Sequence, residues 1–469
     1  DYPVTGRMSL KQVDLDPFIT AGLRLQELTG HSSIDGNVSL SGSLLRPDDL
    51  QWDADLSRVA LSYASVSLEN SGPVRLQYRR NEVRVQPSTL LGPETDMVIS
   101  GSAHFNSDRA LDLRLAGGVN LRLLSAFVPN LDAQGPARVD AAIAGTLANP
   151  RITGRIRLQD SSLRYGDFPT GLSNITGDLI FDASRLTFNN LTAESGGGQL
   201  DLNGSLTYAN GPMRYDLSVR SQRVRIRYPV GMSWLADGTL RLSGDQRAAT
   251  LSGRVTVERL LMAEGFDFGS LVASSVEPVS APSTTSPFLR NLQFDIQADL
   301  APNARMEWAA ARFQTEASIR VRGTWEHPIL LGHLHLLSGE MEFRGNRYQL
   351  SRGDINFANP FRLDPVISVE AATNIRQYEV TVNFTGPASH LTMSYRSDPP
   401  LPSSDIIALL ALGQTGEESQ LRGLPTGQTS QSGASTLLSE AISSQLGGRI
   451  QRLFGISHFS VDPFLSNTT

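Results

Sequence analysis

The chain has no cysteine, a single lysine and few aromatic residues. Without cysteine there can be no disulfide framework, thiolate zinc site or cysteine nucleophile. Lys11 is the only lysine, and every other basic residue is arginine. The net charge of −6 is spread along the chain without long runs. No concentrated basic stripe is present, which argues against a nucleic-acid partner. The longest apolar run, Ile406 to Leu412, falls far short of the ~20 residues that a membrane-crossing helix needs. Hydrophobic residues still make up 40% of the 469 positions and charged residues 19%, so the composition is that of a folded chain.

What is present is a repeat. Shifting the sequence by 103 residues lays Gly42-Ser43-Leu44 on Gly145-Thr146-Leu147 and Leu76-Gln77-Tyr78 on Leu179-Ile180-Phe181. The same shift lays Val83-Arg84-Val85 on Leu186-Thr187-Phe188 and Gly101-Ser102 on Gly204-Ser205. A shift of 178 places Gly145 to Pro150 on Gly323 to Pro328, and Gly154 on Gly332. A fixed period points to an array of stacked units rather than one enclosed core.

Up to about residue 397 the pattern is that of strands. Apolar and polar residues alternate with period two, as in Ile152-Thr153-Gly154-Arg155-Ile156-Arg157-Leu158 and Val380-Thr381-Val382-Asn383-Phe384. Gly, Asn, Asp and Pro punctuate these segments at short intervals, which predicts a meander of antiparallel hairpins. Short helices are expected near residues 17–27 and 120–127. Ser404-Asp405 offers a helix start before Ile406 to Leu412, and Gly413 a stop. Leu438, Ile442, Leu446, Ile450 and Phe454 recur every four residues as an amphipathic stripe, and Ser457 to Val461 returns to strand. The organisation read from the sequence is a set of repeated β modules over 1–273, a Ser/Pro/Thr-rich flexible loop over 274–286, a second β block over 287–397, and helical segments over 398–469. The fold class is mostly β: a long curved antiparallel sheet built from repeats, with short C-terminal helices.

A sheet with one apolar face must cover it. It can do so as a packed sandwich or barrel, or leave it as an open, apolar groove suited to acyl chains. In the groove reading the lining residues are Val38, Leu40, Ile156, Leu158, Leu202, Leu217, Val219, Leu242, Val257, Phe294, Ile296, Val321, Leu336, Val382 and Phe384.

Catalytic patterns are missing. Gly196-Gly197-Gly198 is not followed by the Gly-Lys-Ser/Thr of a phosphate loop and reads as a hairpin turn. No nucleophile elbow, metalloprotease helix or dinucleotide fingerprint occurs. Asp295/Asp299 and Glu340/Glu342 lie on the polar faces of strands and read as solvated charges. His333-x-His335 shares one strand face, with His327 nearby, and no third ligand of matching geometry is evident. The reading is of a non-enzyme without cofactor or metal.

Several C-terminal segments resemble the TamB family of bacterial envelope proteins. The most specific is Ser397-Asp398-Pro399-Pro400-Leu401 followed by Ser404-Asp405 and the apolar helix ending at Gly413. Asp354-Ile355-Asn356-Phe357-Ala358-Asn359-Pro360 with Leu363-Asp364-Pro365-Val366-Ile367 is similar to the family's preceding strand–turn–strand, and Leu453-Phe454-Gly455-Ile456 to Val461-Asp462-Pro463 to its next element. The likeness covers about residues 287–465. The upstream repeats match only in style, as modules of AsmA-like type. The resemblance implies a periplasmic, inner-membrane-anchored protein with an apolar β-groove that carries phospholipids for outer-membrane biogenesis. It also implies a TamA-like Omp85 barrel as partner and no catalytic residues. On this reading the chain is a fragment that lacks the N-terminal anchor and the final C-terminal strands. The competing expectation is an assembly factor or chaperone that passes outer-membrane strands to the barrel by β-augmentation.

Overall fold

The computed structural model describes residues 3–17, 30–43, 46–63, 65–104, 110–128, 130–146, 149–166, 170–208, 211–227, 231–263, 290–308, 311–324, 327–343, 346–361, 363–412 and 459–461. The protein is mostly β, with twenty-five strands among the described residues. The chain divides into two compact units. The first comprises residues 1–221 and 243–246, and the second residues 222–242 and 247–469. The proposed loop at 274–286, the stripe from Leu438 to Phe454, Gly413 and nearly all of the 17–27 segment lie outside the described residues.

In the first unit, β1 (Pro3–Val13), β2 (Gly30–Ser43) and β3 (Arg46–Tyr63) pair antiparallel in sequence order. The long β3 then serves two short strands placed end to end, β4 (Val66–Asn70) and β5 (Val74–Arg79). β6 (Glu82–Gly92) spans the same two from the other side. β7 (Thr95–His104) and β8 (Ala110–Asn120) continue the ladder. A 3-10 helix at Leu121–Ala126 follows, within the span the sequence pointed to. Its N-terminus is closed by Asn120, whose Oδ1 accepts the Arg122 N–H at 2.9 Å. β9 (Leu131–Gln134) pairs with the far end of β11, while β10 (Pro136–Thr146) pairs with β8 on one side and β11 (Pro150–Tyr165) on the other. β12 (Leu172–Asp182), β13 (Arg185–Ser195) and β14 (Gly198–Thr207) extend the meander. β15 (Arg214–Ile226) and β16 (Met232–Asp245) contribute residues to both units.

The second unit contains β17 (Ala249–Met262), β18 (Leu292–Trp308), β19 (Ala311–Thr324), β20 (Pro328–Phe343), β21 (Asn346–Phe357), β22 (Val366–Ile375), β23 (Tyr378–Pro387) and β24 (Leu391–Asp398). Helix α1 (Ser403–Leu412) follows β24, and the short β25 (Phe459–Val461) pairs with β24. From β18 to β24 the pairing is antiparallel between sequence neighbours. The pairing is mostly antiparallel, as the alternation and turns predicted; among the described pairings β17–β18 and β24–β25 are parallel. Parallel neighbours need a connection that returns the full length of a strand. Periodicity reports which residues share a face and carries no information on strand direction.

The repeat is a repeat of register. Leu76 pairs with Val85 and Tyr78 with Val83; 103 residues on, Leu179 pairs with Phe188 and Phe181 with Leu186. The 178-residue shift is matched still further. Ile143–Ile152, Ala141–Gly154 and Ala137–Leu158 correspond to Val321–Leu330, Ile319–Gly332 and Thr315–Leu336. The turns joining the two hairpins are the same device. Gly145 and Gly323 adopt φ of 92° and 84°, a region open to glycine. In each turn the next residue, Thr146 or Thr324, accepts at its Oγ1 the N–H of the residue three further on, at 3.1 and 3.2 Å. A proline then opens the returning strand, a position where its missing N–H costs no ladder bond.

A continuous apolar face

Within the first unit the ladder aligns apolar side chains into rows that cross the strands. One row runs Met8, Val38, Ala54, Leu76, Val85, Gly101, Leu113, Ile143, Ile152. Two residues along each strand, and so on the same face, lies the row containing Leu40, Trp52, Tyr78 and Val83. Trp52 and Tyr78 stack with centroids 5.7 Å apart and planes 10° from parallel. Two further rows on this face contain Val139, Ile156, Leu179 and Phe188, and Val119, Ala137, Leu158 and Gly177. Leu202 pairs with Leu191 on β13. At the β1 end the face bounds a groove of about 470 Å³, lined chiefly by Leu10, Ile34, Val38, Leu40, Trp52 and Leu76.

In the second unit Phe294 lies between Leu251 and Gly323, and Ile296 between Gly253 and Val321. Leu336 and Phe384 belong to one row, Thr315, Leu336, Gly353, Val369, Phe384, Met393. Val257 is buried opposite Leu300. Val382 lies between Ala371 and Tyr395. Here the apolar face is covered: Ile406 of α1 packs with Val380, Val382, Met393 and Tyr395, flanked by Leu401, Ile407 and Leu410. Val382 and Phe384 therefore pack in the clusters beneath and beside this helix rather than on a bare face. Leu217, Val219 and Leu242 are half-buried on β15 and β16.

The fifteen residues singled out from the sequence share one exposure pattern. Eleven are half-buried and four, Leu158, Val257, Leu336 and Val382, are buried. None is exposed, while the polar residues alternating with them, such as Arg155, Arg157 and Arg320, are. What the sequence did not reveal is α1 as a cover for β23 and β24. Its heptad of apolar residues, Ile406 to Leu412, was the available signal.

The opposite face is polar and ion-paired. Arg320 grips Asp295 through Nε at 2.7 Å and Nη2 at 2.9 Å, and holds that carboxyl below the usual range. Arg254 lies 3.7 Å from Asp299, which also accepts from Gln297 and Ser318 at 2.9 and 2.8 Å. These groups line a depression of about 580 Å³. Asp295 and Asp299 are thus engaged as ion-pair and hydrogen-bond acceptors on the outer surface. Among the described residues no group of three or more metal-ligating side chains converges. None of the described helices is long and apolar enough to cross a membrane.

The family profile described as the TamB C-terminal domain matches residues 189–468. The chain belongs to the TamB family. No individual curated protein matches it. The TamB match begins inside β13, well upstream of the segments whose motifs carry the resemblance. The intervening strands alternate without distinctive short motifs, so only their sum is informative. TamB proteins are associated with the cell envelope, serve outer-membrane assembly, and associate in general with TamA-like Omp85 proteins.

Proposed function

We propose that this TamB chain is a non-enzymatic carrier whose apolar face binds phospholipid acyl chains in the periplasm and conducts them between the inner and outer membranes. The observation that supports the reading is the continuity of half-buried Leu, Ile, Val and aromatic residues across successive strands of the first unit. A sandwich core buries such residues fully; a face that is half-buried over so many strands retains apolar surface for a ligand. An acyl chain seated there loses its own water-exposed surface and asks for no hydrogen-bond partner.

The test is native mass spectrometry with lipid extraction on the periplasmically expressed chain, purified without detergent. Co-purifying phospholipid that is lost in Leu202→Arg or Phe294→Arg, with the fold intact by circular dichroism, supports the carrier. A lipid-free wild-type chain, or lipid retained in both charged variants, rules it out, because an unpaired charge among acyl chains is costly.

A second reading has one observation behind it: β1 pairs with β2 on one edge and has no strand partner on its other edge among the described residues. An assembly factor would add an extended outer-membrane strand there. Such a chain binds amphipathic peptides in preference to lipid.

A further inference from the structure

We propose that His333 and His335 form a surface site for a divalent transition-metal ion such as Zn²⁺. The two residues are separated by one position on β20, so both side chains leave the same face of the sheet. That face is the polar one, opposite Leu334 and Leu336. Both histidines are exposed.

The geometry suits a shared ligand. The rings lie with centroids 4.9 Å apart and planes tilted by 49°. A histidine nitrogen sits ~2.0–2.1 Å from zinc, which puts each ring centroid roughly 3.2 Å from the ion. At a tetrahedral angle two such centroids are roughly 5 Å apart. The observed centroid spacing is the one that two histidines sharing an ion require.

A third residue orients one of the two. Asp354 stands opposite His335 on β21, with its Oδ1 2.5 Å from His335 Nδ1. Arg352 holds the other oxygen of that carboxylate, at 3.7 Å. In the tautomer that donates Nδ1–H to Asp354, Nε2 is the ligating nitrogen, the usual relation between a metal-bound histidine and its supporting acid. No third protein ligand joins the pair among the described residues, so water completes the coordination.

The experiment is titration calorimetry of ZnCl₂ into the whole chain at pH 7.5. One site is expected at pH 7.5, with affinity falling at least about tenfold in His333→Ala and in His335→Ala. Asp354→Asn, which keeps both ligands, should weaken binding about tenfold. All three positions are at the surface, so circular dichroism of each variant should match that of the parent. Zinc binding absent from the parent, unchanged in the double histidine variant, or indifferent to Asp354→Asn would overturn the assignment.

Discussion

Leu158 and Leu336, 178 residues apart, occupy the same place in two copies of one hairpin. Leu158 is flanked in the ladder by Ala137 and Gly177, and Leu336 by Thr315 and Gly353. Each is a large buried side chain between a small neighbour and a glycine. Replacing either by Ala removes three buried carbons into a space that cannot collapse from both sides. We expect each change to cost about 2–4 kcal/mol, with the two values within about 1 kcal/mol of each other. Because the chain has two compact units, the measurement should be local: hydrogen exchange of β10–β11 and of β19–β20. A neutral effect at one site and a large one at the other would show that shared register does not mean shared environment.

Gly332 and Gly72 separate two contributions to backbone strain. Their φ values are nearly equal, 137° and 136°. A Cβ on Gly332 would run into the carbonyl of Ser318, whereas one on Gly72 would meet nothing within 4 Å. Gly72→Ala should cost only the dihedral penalty, about 1 kcal/mol, and Gly332→Ala visibly more, up to about 3 kcal/mol. Denaturant midpoints followed through each unit's own exchange protection will distinguish them; equal costs would refute the steric part.

Tyr63 links stability of the first unit to high pH. Its hydroxyl donates to Asp16 at 2.7 Å, and burial together with that bond pushes its pKa from 10.0 up to about 12. The folded state thus favours neutral tyrosine. The stabilisation is complete below pH 10 and disappears as the pH rises through about 12. Absorbance titration should show Tyr63 ionising later than the exposed tyrosines, and Tyr63→Phe should remove its share of the late absorbance change. A Tyr63 that ionises with the exposed tyrosines would contradict the burial argument.

Helix α1 should act as a detachable cover. Ile406 is 2% exposed and fills the centre of the cluster over Val380 and Tyr395. Ile406→Asp inserts an unpaired charge there and should free the helix while leaving β18 to β21 paired. The expected readout is increased binding of an apolar dye, with unchanged exchange protection in β19 and β20. Loss of protection throughout the unit would mean that α1 holds the sheet together rather than covering it.

The alternation of Ile152, Gly154, Ile156 and Leu158 was enough to read β11 and its buried face, because burial on one side of a strand imposes period two directly on the sequence. The Gly145 and Gly323 turns were equally legible, since few other residues tolerate their φ. Other features left no such trace. β4 and β5 look like ordinary successive strands, yet they share β3 end to end, a matter of tertiary pairing. The parallel contact of Val255 with Ala298 depends on which way β18 runs, and reversing a strand leaves its alternation unchanged. The groove residues were read from hydrophobicity alone, so Val382 was grouped with Val38 although a helix packs on one and a cleft opens beside the other.

The parallel β17–β18 junction has a consequence for how such a chain can lengthen. In a hairpin ladder each added strand reverses the direction of every strand after it. Growth by whole hairpins is therefore invisible downstream, while growth by a single strand inverts the rest of the ladder. A connection that carries the chain back along one strand before pairing resumes cancels that inversion. The junction supplies one such correction: β18 runs with β17 where a hairpin would run against it, so a single odd strand before it leaves the hairpins from β18 onward with the polarity of an even count.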